Sequence, residues 1–147
     1  EMDCMDNPWR DVEATWQGEG IFIGHNPKGG TVQMGSRENQ PGISPMELLL
    51  LGVAGCTGMD IASILTKKRQ SLSELKVRVR GKMVDSFPRI FDEIEIEYLL
   101  WGEGIEPEAV EQAIHLSEDK YCSASAMLRA SAKVSWSYRI LVPGEDA

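Results

Sequence analysis

From Leu48 to Met59 the chain carries no charge, and the run LLLLGVAGCTGM holds three glycines and one cysteine, Cys56. The segment opens behind Ser44, Pro45 and Glu47. These supply a helix cap, a proline suited to the first helical position and an acidic residue three after the cap. The sequence therefore predicts a helix from Pro45 to about Arg69. A helix apolar on every side is buried on every side. A lone domain of 147 residues has difficulty wrapping one completely, so a subunit interface is expected. Gly52, Gly55 and Gly58 each cost up to about 1 kcal/mol in a helix interior. Around one cysteine they point either to close approach of another backbone or to plain helix–helix contact.

The rest of the chain reads as short elements. Val12–Gln17, Gly20–His25 and Thr31–Gly35 are expected strands, joined by turns at 17–20 and 25–30 that are rich in glycine, asparagine and proline. Residues 36–45 form a polar loop. Leu75–Asp85 alternates Leu75, Val77 and Val79 with Lys76, Arg78 and Arg80. Phe91–Trp101 alternates Ile94, Ile96, Tyr98 and Leu100 with Glu93, Glu95 and Glu97. Paired antiparallel across SFPR (86–89), the two strands set a basic row beside an acidic one, which makes the charges a solvated sheet face. Glu106–Lys120 is an expected helix with Val110, Ala113, Ile114 and Ser117 inward. His115 and Glu118 fall on its polar side. A short helix over Tyr121–Ala130 and a strand Lys133–Leu141 complete the chain. Strands and helices in this order give α+β architecture with antiparallel sheet. Residues 1–10 read as a loosely held tail, and 11–147 as a single domain.

The net charge of −8 argues against nucleic-acid or anionic-membrane partners. The polar Glu1–Arg10 holds no apolar secretory core. The uncharged run at 48–59 is shorter than the roughly 20 residues a bilayer requires. Cys4, Cys56 and Cys122 form neither a disulfide scaffold nor a zinc ladder. The expectation is a cytoplasmic protein with reduced thiols and no metal or cofactor. Of the two interior thiols, Cys56 lies in the drier stretch. Cys122, in EDKYCSASAML, gains a field favouring thiolate if a helix begins there. Either is equally readable as a small buried hydrophobe.

SPMELLLLGVAGC (44–56) followed by DKYCSASAML (119–128), with the strand pattern around them, strongly resembles the OsmC/Ohr family of organic-hydroperoxide-reducing proteins. The likeness runs from about Val12 to Ile140. RIFDEIEIEY and LSEDKYCS place it nearer the less-characterised OsmC-like branch. The resemblance implies antiparallel sheets wrapped around a long buried central helix in an intertwined homodimer. It implies that Cys56 attacks an organic hydroperoxide, that Cys122 closes a disulfide onto it, and that an external thiol reduces that disulfide. In family peroxidases a glutamate directly follows the proline at the helix start. Here Met46 stands there and Glu47 comes next, about two and a half turns before Cys56 and so half a turn away from it. The family's arginine in the first turn has no counterpart in QGEG (17–20). Arg37 either substitutes for it from the following loop or is a solvated loop residue. The alternative to a peroxidase is a non-catalytic dimer of the same fold that senses redox state or binds an apolar small molecule.

Overall fold

The computed structural model describes residues 7–147. Cys4 and the first part of the expected tail, residues 1–6, lie outside the described residues. Two compact units emerge, one ending at Leu48 and one comprising Leu49–Ala147. The boundary falls in the first turn of the long helix.

The first unit is a three-stranded antiparallel meander of β1 (Glu13–Trp16), β2 (Phe22–His25) and β3 (Thr31–Met34), in the order β1-β2-β3. Each strand is slightly shorter than its sequence pattern, because turn hydrogen bonds claim the ends: Gln17 N donates to Ile21 O, and Asn26 N to Gly30 O. Gly35 has φ +80°, and a Cβ there would collide with the Gly20 carbonyl oxygen, so glycine is required at the close of β3. Beyond it, Gln33 Nε2 donates to the carbonyls of Gly35 and Gln40 and ties down the polar loop.

Helix α1 (Pro45–Lys67) begins as the sequence predicts. Ser44 Oγ accepts from Glu47 N at 3.1 Å, and Glu47 Oε1 accepts from Ser44 N at 2.8 Å, a complete capping box. By length and composition alone this helix could cross a membrane, although the uncharged run within it is short. Its buried residues, Val53, Thr57, Ile61 and Leu65, recur every four positions. They form one packed stripe on protein, and Thr57 makes buried hydrogen bonds there.

In the second unit α1 is followed by β4 (Ser71–Met83), β5 (Phe91–Glu103), α2 (Pro107–Leu116), a π-helical turn at Ser117–Tyr121, α3 (Ser123–Leu128) and β6 (Lys133–Leu141). β4 and β5 pair antiparallel in a register that matches the charge rows, with Arg78 opposite Glu97, Arg80 opposite Glu95 and Lys82 opposite Glu93. All three pairs form ion pairs on the open face. One strand departs from the antiparallel expectation: β6 lies parallel to β5. The helices between them carry the chain back across the sheet, as a parallel connection requires. The sheet order β4-β5-β6 makes β5 central. Ile94, Ile96, Tyr98 and Leu100 are fully buried on its helix-covered side, whereas the inward residues of β4 and β6 are half-buried.

Two expectations are corrected. Within this chain α1 is not buried all round: Leu49, Leu51 and Met59 are 45%, 51% and 76% exposed. Nor do its glycines meet another backbone. A Cβ on Gly58 would touch the Val77 side chain at 3.3 Å, and one on Gly52 or Gly55 would meet nothing within 4 Å.

Candidate active site

The site lies in the second unit, where α1 covers β5 and the end of α2. Cys122 is 3% exposed and free, and Cys56, half-buried on α1, is also free. The two thiols lie close enough for Cys56 to act on Cys122. Cys122 caps the six-residue α3: its Sγ accepts from Ser125 N at 3.4 Å and its thiol donates to Ser125 Oγ at 3.3 Å. The expected cap is therefore present, but it does not yield a stabilised thiolate. Burial is the largest influence and pushes the Cys122 thiol upward. The Ser125 hydroxyl and backbone N–H oppose this, and Cys56 adds to the rise.

The π turn sets Cys122 in place. Cys122 N donates to Ser117 O at 2.7 Å, closing a turn one residue wider than an α-helical one. The extra residue rotates the side chains of the turn relative to a regular helix. Glu118, expected on the polar side, is instead 3% exposed. Its Oε1 accepts from Arg129 Nη2 at 2.8 Å, and its carbonyl from Arg129 Nη1 at 2.6 Å. Its Oε2 accepts from Ser125 Oγ at 3.3 Å and from the Tyr98 hydroxyl at 3.4 Å. A buried carboxylate with this many partners is compensated.

The network continues through α1. Thr57 Oγ1 lies 2.7 Å from the Tyr98 hydroxyl and 2.7 Å from Ser117 Oγ, and Ser117 Oγ donates to Asp60 Oδ2 at 2.9 Å. Burial, its largest influence, pushes the Tyr98 phenol well above its ordinary range. Of this set only Ser117 and Tyr98 stand out in the sequence, as inward-facing positions. Thr57, Asp60, Ser125 and Arg129 carry no local signal beyond proximity to the two cysteines in the chain.

The two groups considered as activators have other bonds. The Glu47 carboxylate is held by the capping box, whose Ser44 backbone N–H and then hydroxyl keep it below its ordinary value. Arg37 Nε donates to Gln40 Oε1 at 2.7 Å, and its Nη1 lies 3.9 Å from Glu19. His115 is a surface residue, as expected: its ring stands edge-on to Trp136 at 5.3 Å, and Nδ1 lies 3.7 Å from Asp119.

An α+β architecture with a capped, glycine-bearing helix beside a sheet is the fold of OsmC-like proteins. The chain belongs to that family: the OsmC-like protein family matches residues 37–137. Protein YhfA of Escherichia coli K12 is 32% identical over 124 residues, covering 84% of this chain and 92% of that one. A crystal structure from Aquifex aeolicus VF5 superimposes with a TM-score of 0.78 at 37% identity, covering 90% of this chain and 97% of the other. The organic hydroperoxide resistance protein OhrB of Bacillus subtilis superimposes with a TM-score of 0.61 over 89% of this chain and 98% of its own. At 16% identity it shares the fold.

Proposed function

We propose that this protein reduces organic hydroperoxides with its own thiols. The Cys56 thiolate attacks a peroxide oxygen, the O–O bond breaks, and the alkoxide leaves and takes up a proton to become an alcohol. Cys56 is left as a sulfenic acid. The Cys122 sulfur then attacks the Cys56 sulfur, the S–O bond breaks, and water departs as the disulfide forms. An external thiol restores both cysteines. The observation that carries this reading is the adjacency of the two free thiols, one half-buried and one buried, in the second unit. The uncharged run 48–59 around Cys56 suits an organic rather than an inorganic peroxide. A compartment that keeps thiols reduced, the cytoplasm, suits a pair reset in this way.

The same reading has the protein act as a homodimer. Leu49, Leu51 and Met59 are exposed apolar residues of α1, and a second copy covering them would complete the wrapping one chain lacks. A non-catalytic sensor or apolar-ligand binder is favoured by one specific observation: Glu47 and Arg37 are held by neighbours of their own. Free-thiol loss after cumene hydroperoxide and after hydrogen peroxide separates these readings. Rapid loss of two thiols with the organic oxidant supports the peroxidase, and thiols intact over many minutes support the binder.

A further inference from the structure

The buried position of Cys122 raises a question about its proton. Before its sulfur can attack Cys56, the thiol hydrogen must leave a place with little access to solvent. One continuous path of hydrogen bonds leads away from it. The Cys122 thiol donates to Ser125 Oγ at 3.3 Å, and Ser125 donates to Glu118 Oε2 at 3.3 Å. From Glu118 the path runs to Tyr98 at 3.4 Å, Thr57 at 2.7 Å, Ser117 at 2.7 Å and Asp60 at 2.9 Å. Apart from the buried Glu118 carboxylate, every intermediate oxygen belongs to a buried hydroxyl, and Asp60, at the far end, is half-buried.

The proton count along the path constrains it. Between the two carboxylates there are four contacts and three hydroxyl hydrogens. With both carboxylates ionised, Tyr98 donates to Glu118 and Ser117 to Asp60. The single Thr57 hydrogen must then serve two oxygens that are both 2.7 Å away. One added proton fills every contact, in either of two patterns. If it sits on Glu118, each hydroxyl donates toward Asp60; if it sits on Asp60, each donates toward Glu118. The two patterns interconvert by one hop at each link.

We propose that this chain of hydroxyls is a proton wire that carries the Cys122 proton from Glu118 to Asp60 during disulfide formation and returns it on reduction. The wire rests on the peroxidase reading. The step balances. With the sulfenic acid left on Cys56 by an organic hydroperoxide, the S–S bond forms as the S–O bond breaks. The departing hydroxide takes a proton from solvent, and the Cys122 proton reaches solvent at Asp60, for a net release of one water. Arg129, bonded to Glu118 Oε1, holds that carboxylate in line with the path.

Thr57→Val breaks the wire in the middle with a side chain of similar shape, while Tyr98 and Ser117 keep their carboxylate partners. Asp60→Asn removes the acceptor at the half-buried end without disturbing the interior. In the full-length protein, cumene hydroperoxide oxidises Cys56, and two rates are read: sulfenic acid formation by dimedone trapping, and disulfide formation by non-reducing mass analysis. The ratio of the second rate to the first falls at least about tenfold in both variants, and Thr57→Ser restores it. A folded Thr57→Val or Asp60→Asn protein with the wild-type ratio overturns the wire. A wild-type protein that forms no Cys56–Cys122 disulfide overturns the peroxidase reading instead, and the wire with it.

Discussion

The molecule uses carboxylates in two contrasting places. Glu93, Glu95 and Glu97 stand in a row on the open face of the sheet, each opposite a cation of β4. Glu118 stands alone in the interior, with one arginine and two hydroxyls around it. On the open face water solvates each partner as well as its opposite number does, so the pairs fix register and solubility more than stability. In the interior nothing replaces a missing partner, and the carboxylate is tolerable only because every contact is present. The same side chain is surface decoration in one place and a structural commitment in the other. That commitment lies beside the two thiols.

Removing a partner in each place makes the contrast measurable. The largest effect is expected from Arg129→Ala, which leaves the Glu118 carboxylate buried without its cation. A loss of about 2–4 kcal/mol in denaturant unfolding is predicted, and Arg129→Lys recovers only part of it because two separate N–H donors are needed. A loss no larger than that of a surface substitution would erase the distinction. Tyr98→Phe comes next, at about 1–2 kcal/mol, since Thr57 and Glu118 each lose a partner.

A pH series sharpens the contrast further. Burial raises both the Cys122 thiol and the Tyr98 phenol, so the folded state holds their protons more tightly than the unfolded chain does. The stability this confers is complete below the ordinary thiol value of about 8.5. It is lost as the pH climbs past that value and then past the ordinary phenol value of about 10. The melting midpoint is therefore expected to be level between about pH 6 and 8 and to fall at higher pH, with a smaller early fall in Cys122→Ser. A midpoint that rises with alkalinity would reverse the sign. The smallest effect belongs to the open face: Arg80→Ala, at physiological salt, should leave the unfolding midpoint where it is. A clear drop would mean the exposed row carries stability after all.

The two regions also differ in how much of them could be read from sequence. The open face was legible. Alternation with period two, a row of one sign and a row of the other settle strand identity, facing and antiparallel pairing, and the structure adds the register that sets Arg80 opposite Glu95. The start of α1 was equally legible, because Ser44, Pro45 and Glu47 act on one another within a single turn. The interior was only partly so. Ser117 and Tyr98 followed from their stripes. Glu118 did not, because its position assumed a regular helix through Lys120, and the π turn at Ser117–Tyr121 rotates it inward. Arg129 and Asp60 reach the site through tertiary packing, which leaves no periodic trace, and the every-fourth stripe that buries Thr57 is hidden in the sequence because the helix is apolar on every side there. The parallel placement of β6 was hidden for the same reason: alternation in a strand reports which side is buried and not which way its neighbour runs.

The central claim is that Cys56 and Cys122 work as a pair, and a stoichiometric titration tests it most directly. The reduced protein is mixed with one equivalent of cumene hydroperoxide, and its cysteines are mapped by peptide mass analysis without reduction. The predicted result is a Cys56–Cys122 disulfide, Cys4 unchanged, and in Cys56→Ser no disulfide at all. Both thiols left free, or a disulfide that joins either one to Cys4 instead, would contradict it.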